Sequence, residues 1–174
     1  MGLARLGDTK TLITFHPLDH EPDPAWIHGS IGHPTMVFVA PHRDTDPIHY
    51  AQTVSMSCDA HHTTILIPGS AFDRFGTRHG RGGGWYDRFL SATPSAWLRI
   101  GMTTRSCWHE ERLLREPWDQ PMDAVVIFDE SGLWEMIETP RSLDTQDDTS
   151  RDVDQSRGRA PSSFHDRIEP AHHE

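Results

Sequence analysis

The sequence has little positive charge, few cysteines and no long apolar run. Its formal net charge is −10, and Lys10 is the single lysine beside fifteen arginines. Nucleic acids and anionic membranes attract an excess of positive charge, so the composition argues against both as general partners. An acidic chain still binds a phosphorylated ligand where arginines are concentrated, and the distribution of the arginines therefore matters more than their total.

The two cysteines, Cys58 and Cys107, lie far apart and lack the spacing of a metal site. We interpret them as buried or free thiols in a reducing compartment. Residues 1–11 lack the apolar run of a signal peptide, and no stretch approaches membrane-spanning length. These absences predict a cytoplasmic protein that has neither a nucleic-acid nor a membrane partner, and we expect a monomer.

Large apolar side chains are scarce at the end of the sequence. Residues 140–174 contain four of them, Leu143, Val153, Phe164 and Ile168. Such a composition cannot bury enough apolar surface to offset the entropy lost on ordering. We therefore predict one folded domain over residues 1–139 and a disordered tail, with acidic, arginine and histidine side chains, over residues 140–174.

Within the predicted domain, short apolar runs alternate with helical stretches. Strands are predicted at residues 12–15, 36–40, 63–67, 97–102 and 124–128, and helices at residues 25–31 and 86–92. Asp23 is the predicted cap of the first helix, with Pro24 at its first position. The run at residues 36–40 has the composition of a buried strand. Buried strands that alternate with helices predict an α/β sheet with parallel pairs.

A glycine–arginine loop follows the third predicted strand and leads into a helix. Gly80, Gly82, Gly83 and Gly84 lack side chains, so their backbone N–H groups can approach an anion. The helix N-terminus that follows favours a phosphate group. Four arginines, Arg74, Arg78, Arg81 and Arg88, add guanidinium groups that match phosphate oxygens. The loop is neither a P-loop nor a dinucleotide fingerprint, so a phosphate cradle and a plain structural turn both remain open.

Two aspartates accompany this loop. Asp87 lies just inside the predicted helix, where the helix dipole alone favours an acid. Next to a triphosphate, its carboxylate could instead hold Mg²⁺, which prefers oxygen ligands. Asp123 precedes the last predicted strand and by itself is typical of a strand cap. Both interpretations stay open for each residue.

Residues 68–90, PGSAFDRFGTRHGRGGGWYDRFL, closely resemble the signature of the 5-formyltetrahydrofolate cyclo-ligases, also called methenyltetrahydrofolate synthetases. Two weaker stretches agree in order, one around Glu21 and one at residues 120–126. The resemblance implies a three-layer α/β/α fold with a mainly parallel sheet. It also implies an enzyme of folate one-carbon metabolism that uses ATP and Mg²⁺ to cyclise 5-formyltetrahydrofolate to 5,10-methenyltetrahydrofolate. The partners of such an enzyme would be its two substrates, 5-formyltetrahydrofolate and ATP.

The resemblance also implies roles for particular residues. Those that would bind ATP are Arg78, His79, Gly80, Arg81, Gly82, Gly83, Gly84, Trp85 and Tyr86. Arg81 would act catalytically by facing the transferred phosphoryl group. Glu21, Trp85 and Tyr86 would bind the folate, and Asp87 and Asp123 would hold Mg²⁺.

The sequence departs from the family's pattern in places. The basic helical segment that helps bind ATP is not found before the first predicted strand, where no helix is expected around Arg5 or Lys10. His79 and Trp85 stand where an apolar residue and a tyrosine are common. These departures motivate an alternative, a non-catalytic or degenerate paralogue that binds folate or nucleotide.

Other residue types suggest no further chemistry. The thirteen histidines have no clear three-ligand metal spacing. Trp97, Trp108, Trp118 and Trp134 are interpreted as core or rim packing residues and not as stacking platforms. Ser70 lacks the Gly-x-Ser-x-Gly turn of a hydrolase nucleophile.

Overall fold

The structure, a computed structural model, describes residues 2–41 and 44–140. Apart from Pro140, the predicted disordered tail lies outside the described residues. In chain order the elements are α1 (Gly2–Gly7), β1 (Thr11–Thr14), a 3-10 helix (Pro24–Ser30), β2 (Met36–Val39), α2 (Pro47–Ser55), β3 (Thr63–Pro68), β4 (Ala71–Asp73), β5 (Arg78–His79), α3 (Trp85–Ser91), β6 (Leu98–Thr104), a 3-10 turn (Arg105–Cys107), β7 (Trp108–His109), β8 (Ala124–Phe128) and β9 (Trp134–Glu138).

A six-stranded sheet forms the centre of the described residues. Its order is β2-β1-β3-β6-β8-β9, and every neighbouring pair is parallel except β8 with β9. Strands of a parallel sheet are covered on both faces, so their sequences are continuous apolar runs. All six residues of β3 and all five of β8 are buried. The predicted α/β sheet with mainly parallel strands is confirmed.

Two hydrophobic clusters lie on opposite faces of this sheet. On one face, Ala51 of α2 and Phe89 of α3 pack against Ile65 of β3. On the other face, Leu6 of α1 and Ile27 of the 3-10 helix pack with neighbouring sheet residues. The arrangement is the predicted three-layer one. Within the described residues, no helix has the length and apolar character needed to span a bilayer.

Several local predictions are confirmed and others are wrong. Asp23 caps the 3-10 helix by accepting a hydrogen bond from the Ala25 N–H at 2.8 Å, and Pro24 is its first residue, as predicted. The strand at residues 36–40 was predicted to be buried, but Val37 is 54% exposed. The physical reason is that β2 is an edge strand and pairs only with β1. Arg5 lies in α1, where no helix was expected, and its guanidinium donates to the Ala96 carbonyl at 2.7 Å.

A second, three-stranded sheet of order β5-β4-β7 packs over the main sheet and was not predicted. It contacts the main sheet through the buried ring of Phe72 in β4. A Cβ atom built on Gly69 would lie 2.7 Å from this ring, and one built on Gly101 of β6 would lie 2.3 Å from it. Only glycine allows so close an approach at these two positions. Phe72 pairs with Arg78 of β5, so its packing positions the strand from which the loop to α3 begins.

Candidate functional site

A pocket of about 860 Å³ lies at one edge of the main sheet and is the candidate site. Its lining includes residues that follow three strands at their carboxyl ends: Phe15 after β1, Ala40 after β2 and Gly69 after β3. The chain passes from β1 to β2 on one side and then crosses to β3 on the other side of β1. Such a reversal of strand order opens a crevice in α/β sheets, where ligands commonly bind.

The glycine–arginine loop forms one wall of this pocket. Residues 78–88, from β5 into α3, all line it. Gly82 has φ of 80° and Gly84, the cap residue before α3, has φ of 59°, a backbone conformation that favours glycine. A Cβ atom built on Gly82 or Gly83 would meet nothing within 4 Å. The loop is therefore open, and a ligand can approach its backbone closely.

Arg78 and Asp87 form an ion pair at the inner part of this wall. The Arg78 Nη2 atom donates to Asp87 Oδ2 at 2.8 Å, and the Arg78 side chain is 4% exposed. The guanidinium carbon of Arg78 also lies 5.6 Å from the centroid of the Tyr86 ring. The other Asp87 oxygen accepts a hydrogen bond from the Gln120 N–H at 3.2 Å. Both oxygens of Asp87 thus have protein partners.

Arg81 and Glu21 meet across the pocket, although they belong to different loops. Arg81 Nη2 lies 3.4 Å from Glu21 Oε1. The Glu21 side chain is held in a turn, because its other oxygen accepts from the Leu18 N–H at 3.1 Å. The residues predicted to contact the phosphoryl group and the folate are thus brought together in one cavity.

The two predicted ring-binding residues line the pocket but are largely committed to packing. Trp85 stacks on Phe89 with centroids 5.2 Å apart, and its indole N–H donates to the Thr45 carbonyl at 2.8 Å.

Burial raises the pKa of the Tyr86 hydroxyl. The nearby Glu21 and Tyr50 raise this pKa further, and only Arg78 lowers it. His79 also lines the pocket, and its Nε2 lies 2.7 Å from the Leu114 carbonyl oxygen.

Asp123 does not line the pocket. It is buried directly before β8, where its carboxylate accepts a hydrogen bond from the Arg99 N–H at 2.8 Å. Asp87 is the one of the two predicted metal ligands that the pocket contains. Within residues 2–41 and 44–140, no group of three or more His, Cys, Asp or Glu side chains could hold a metal ion. Since Mg²⁺ often binds through one or two carboxylates together with substrate phosphates and water, Asp87 alone suits a nucleotide-bound ion.

The structure also places two further residues that the sequence singled out. Arg74, one of the four loop arginines, is not part of the pocket lining; its guanidinium carbon lies 5.9 Å from the ring centroid of Phe75. Trp118, interpreted as a core or rim packing residue, lines the pocket and is 67% exposed. The proline before it and the two polar residues after it indicated a loop, which is the only sequence signal that pointed to exposure.

Comparison with known proteins bears on this geometry. Residues 44–128 match the model of the 5-formyltetrahydrofolate cyclo-ligase family. The 5-formyltetrahydrofolate cyclo-ligase of Escherichia coli strain K12 is 38% identical over 71 residues, which cover 41% of this chain and 38% of that protein. The enzyme of the same name from Mycoplasma genitalium is 37% identical over 62 residues, 36% of each chain.

The matched segments thus span well under half of these relatives, and Glu21 precedes the residues that match the family. The NMR structure of Aquifex aeolicus 5,10-methenyltetrahydrofolate synthetase superposes with a TM-score of 0.51 and 18% identity, covering 94% of this chain and 84% of that one. This superposition supports the fold. Residues 44–128, which contain the whole glycine–arginine loop, are thus similar to the 5-formyltetrahydrofolate cyclo-ligase family that the sequence resembles.

Proposed function

We propose that this protein is an ATP- and Mg²⁺-dependent cyclo-ligase that converts 5-formyltetrahydrofolate to 5,10-methenyltetrahydrofolate. The observation that carries the proposal is the position of the glycine–arginine loop. The segment that matches the family model contributes a wall of the pocket at the strand reversal. That wall combines open glycines with two exposed arginines, Arg81 and Arg88, and so suits a triphosphate.

In the proposed reaction, the formyl oxygen attacks the terminal phosphorus of ATP, and the bond from that phosphorus to ADP breaks. N10 of the folate then attacks the activated formyl carbon and loses its proton, and phosphate leaves with the former formyl oxygen. Both steps depend on holding the two substrates in line and on compensating negative charge. No covalent bond to the protein is needed.

Each wall residue has a task in this scheme. The open backbone at Gly82 and Gly83 would donate N–H groups to phosphate oxygens. Arg81 would leave Glu21 and compensate the charge that develops on the transferred phosphoryl group. Glu21 would then accept hydrogen bonds from the paired N–H donors of the pterin ring.

Mg²⁺ would supply charge neutralisation of the triphosphate, and Asp87 is the pocket carboxylate that we propose as its ligand, directly or through water. Arg78 would orient that carboxylate through the 2.8 Å ion pair. Arg78 is nearly fully buried, so its role in this proposal is to position Asp87 while the more exposed Arg81 contacts the nucleotide.

The test is an absorbance assay for the methenyl product with purified protein, ATP, Mg²⁺ and 5-formyltetrahydrofolate. We expect turnover in the wild type and a loss of about 100-fold or more in kcat for Arg81→Ala, because charge stabilisation of the transition state is lost. Arg105→Ala is the matched control: Arg105 is an exposed arginine outside the pocket lining, paired with Glu135. Folded wild-type protein without turnover would contradict the proposal.

A second candidate is a binding protein without catalysis. The pairing of Arg78 with Asp87 and of Arg81 with Glu21 favours it, because two of the three pocket arginines already have carboxylate partners. Calorimetric titration separates the two. Saturable binding of ATP or the folate with no product would support the binding protein, and turnover would exclude it.

A further inference from the structure

Trp118 is the most exposed of the aromatic side chains that line the pocket. It is 67% exposed, whereas Phe15 is 5% and Trp85 is 9% exposed, and Tyr86 is partly buried. Leu18, another lining residue, is 48% exposed. The pocket therefore has an apolar rim formed by Trp118 and Leu18, in addition to its glycine–arginine wall.

The other aromatic rings of the pocket already have partners. Trp85 stacks on Phe89, with an angle of 12° between the ring planes. The Tyr86 ring contacts Trp85 edge-on, with centroids 5.2 Å apart, and lies under the Arg78 guanidinium. In the described part of the chain, no aromatic ring and no cation packs on the Trp118 indole. Its faces are thus available to a ligand.

The backbone that carries Trp118 is fixed on both sides. The Trp118 carbonyl accepts a hydrogen bond from the Gln120 side chain at 3.2 Å, and the Gln120 N–H donates to Asp87. The Gln120 side-chain oxygen in turn accepts from Arg99 at 3.2 Å. Before Trp118, the Glu116 N–H donates to the Asp119 carboxylate at 2.8 Å and closes a turn. The backbone of Trp118 is therefore linked through Gln120 to the Asp87 carboxylate.

From this placement we infer that Trp118 is a substrate-binding residue whose indole stacks on the flat nitrogen heterocycle of a bound substrate. The inference rests on the proposed function, since both proposed substrates carry such a ring, the adenine of ATP and the pterin of the folate. A large exposed indole at a fixed position gains contact area and dispersion energy when a planar ring covers it. The fixed backbone lowers the entropy lost on binding.

The inference is tested on the full chain by calorimetric titration with ATP–Mg²⁺ alone and with 5-formyltetrahydrofolate alone. Trp118→Ala is expected to weaken the binding of one of the two ligands about tenfold, whereas Trp118→Phe keeps the affinity within about threefold. Because Trp118 is exposed, both variants should fold as the wild type does. Steady-state kinetics should show a raised KM for the same ligand with little change in kcat.

Trp26→Phe and Trp26→Ala are matched controls. Trp26 is also exposed, at 52%, but it packs edge-on against Phe128 and does not line the pocket. The ligand whose binding weakens in Trp118→Ala identifies the stacked ring, adenine or pterin. If the wild type turns over and Trp118→Ala binds both ligands as the wild type does, the stacking role is wrong and the proposed function stands. If the folded wild type binds neither ligand, both are wrong.

Discussion

Arg81 Nη2 lies 3.4 Å from Glu21 Oε1 across the pocket. The carboxylate comes from the loop after β1 and the guanidinium from the loop before α3. The Glu21 side chain is 11% exposed and the Arg81 side chain 45%, so the carboxylate is the more enclosed partner. Each of the two side chains compensates the charge of the other. In the proposed reaction, binding of both substrates would separate the two side chains, with the guanidinium moving to phosphate and the carboxylate to the pterin.

We predict that Glu21→Gln weakens the binding of 5-formyltetrahydrofolate but not that of ATP–Mg²⁺. The change removes the charged acceptor for the pterin, so 5-formyltetrahydrofolate should bind about tenfold more weakly or worse. It also frees Arg81, so ATP–Mg²⁺ should bind as tightly as before or more tightly. Titration calorimetry with each ligand measures both effects. Glu135→Gln, in the exposed pair with Arg105, is the control, and equal losses for both ligands would contradict the prediction.

Arg78→Met should lower stability. It leaves the Asp87 carboxylate, 15% exposed, without its 2.8 Å cationic partner, which costs about 3 kcal/mol in a buried setting and less where water reaches the acid. Arg78→Met combined with Asp87→Leu should recover part of the loss, because neither charge is then left alone. Urea unfolding monitored by circular dichroism gives the free energies. A single variant as stable as the wild type would mean that the pair adds nothing.

Asp87 and Asp123 are expected to differ in their response to Mg²⁺. Asp87→Asn should raise the Mg²⁺ concentration needed for half-maximal turnover, because the proposed ligand loses its charge. Asp123→Asn should instead lower the free energy of unfolding by about 2 kcal/mol, since the buried carboxylate accepts from the Arg99 N–H. If the Mg²⁺ requirement shifts in Asp123→Asn as well, the second carboxylate takes part in metal binding after all.

Gly101→Ala is expected to destabilise the protein by about 2–3 kcal/mol through overpacking. The added Cβ atom would lie 2.3 Å from the Phe72 ring, and the sheet leaves it no room to move away. Phe72→Leu in the same chain should relieve part of the strain, so that the double variant is more stable than the two single losses predict. Thermal unfolding compares them with Gly29→Ala, whose new methyl group would meet nothing within 4 Å.

The phenol groups predict an alkaline loss of stability. Burial raises the pKa of both tyrosines of the sequence, Tyr50 and Tyr86, above the ordinary value of 10.0. The folded state therefore keeps protons that the unfolded state releases above that pH. Their contribution to stability is complete below pH of about 10 and falls as the pH rises toward the folded-state values.

Ultraviolet absorbance of tyrosinate during an alkaline titration measures this directly. The signal of the folded protein should lag behind that of the protein in denaturant, and Tyr86→Phe should remove the more delayed component. Superimposable titration curves for the folded and denatured protein would contradict the burial of these hydroxyl groups.

The sequence predicted the fold where the signal was local and strong. The run at residues 124–128 corresponds to β8 residue for residue, because a central parallel strand must be apolar on both faces. The same rule failed at β2, whose apolar residues resemble a buried strand although the strand lies at the edge. Composition records which side chains are apolar, but neighbouring strands decide which are covered.

Other elements had signals that were weak or too short. α2 begins with Asp46 as cap and Pro47 at its first position, a recognisable start, but its β-branched and polar residues obscure the helical period. The strands β5 and β7 have two residues each and carry no periodicity. The loop arginines were identified because they cluster around the glycines. The pairing of Arg81 with Glu21 and of Arg78 with Asp87 became apparent only from the tertiary contacts.

The reversal of strand order between β1 and β3 has a consequence for how the protein could be re-engineered. The pocket walls come from loops that leave the sheet after its strands have ended, so their length and composition can change while the strand register stays the same. Exchange of the loop around Leu18 or the loop around Trp118 should therefore alter ligand preference independently of folding. The same sheet could then carry loops that recognise different ligands.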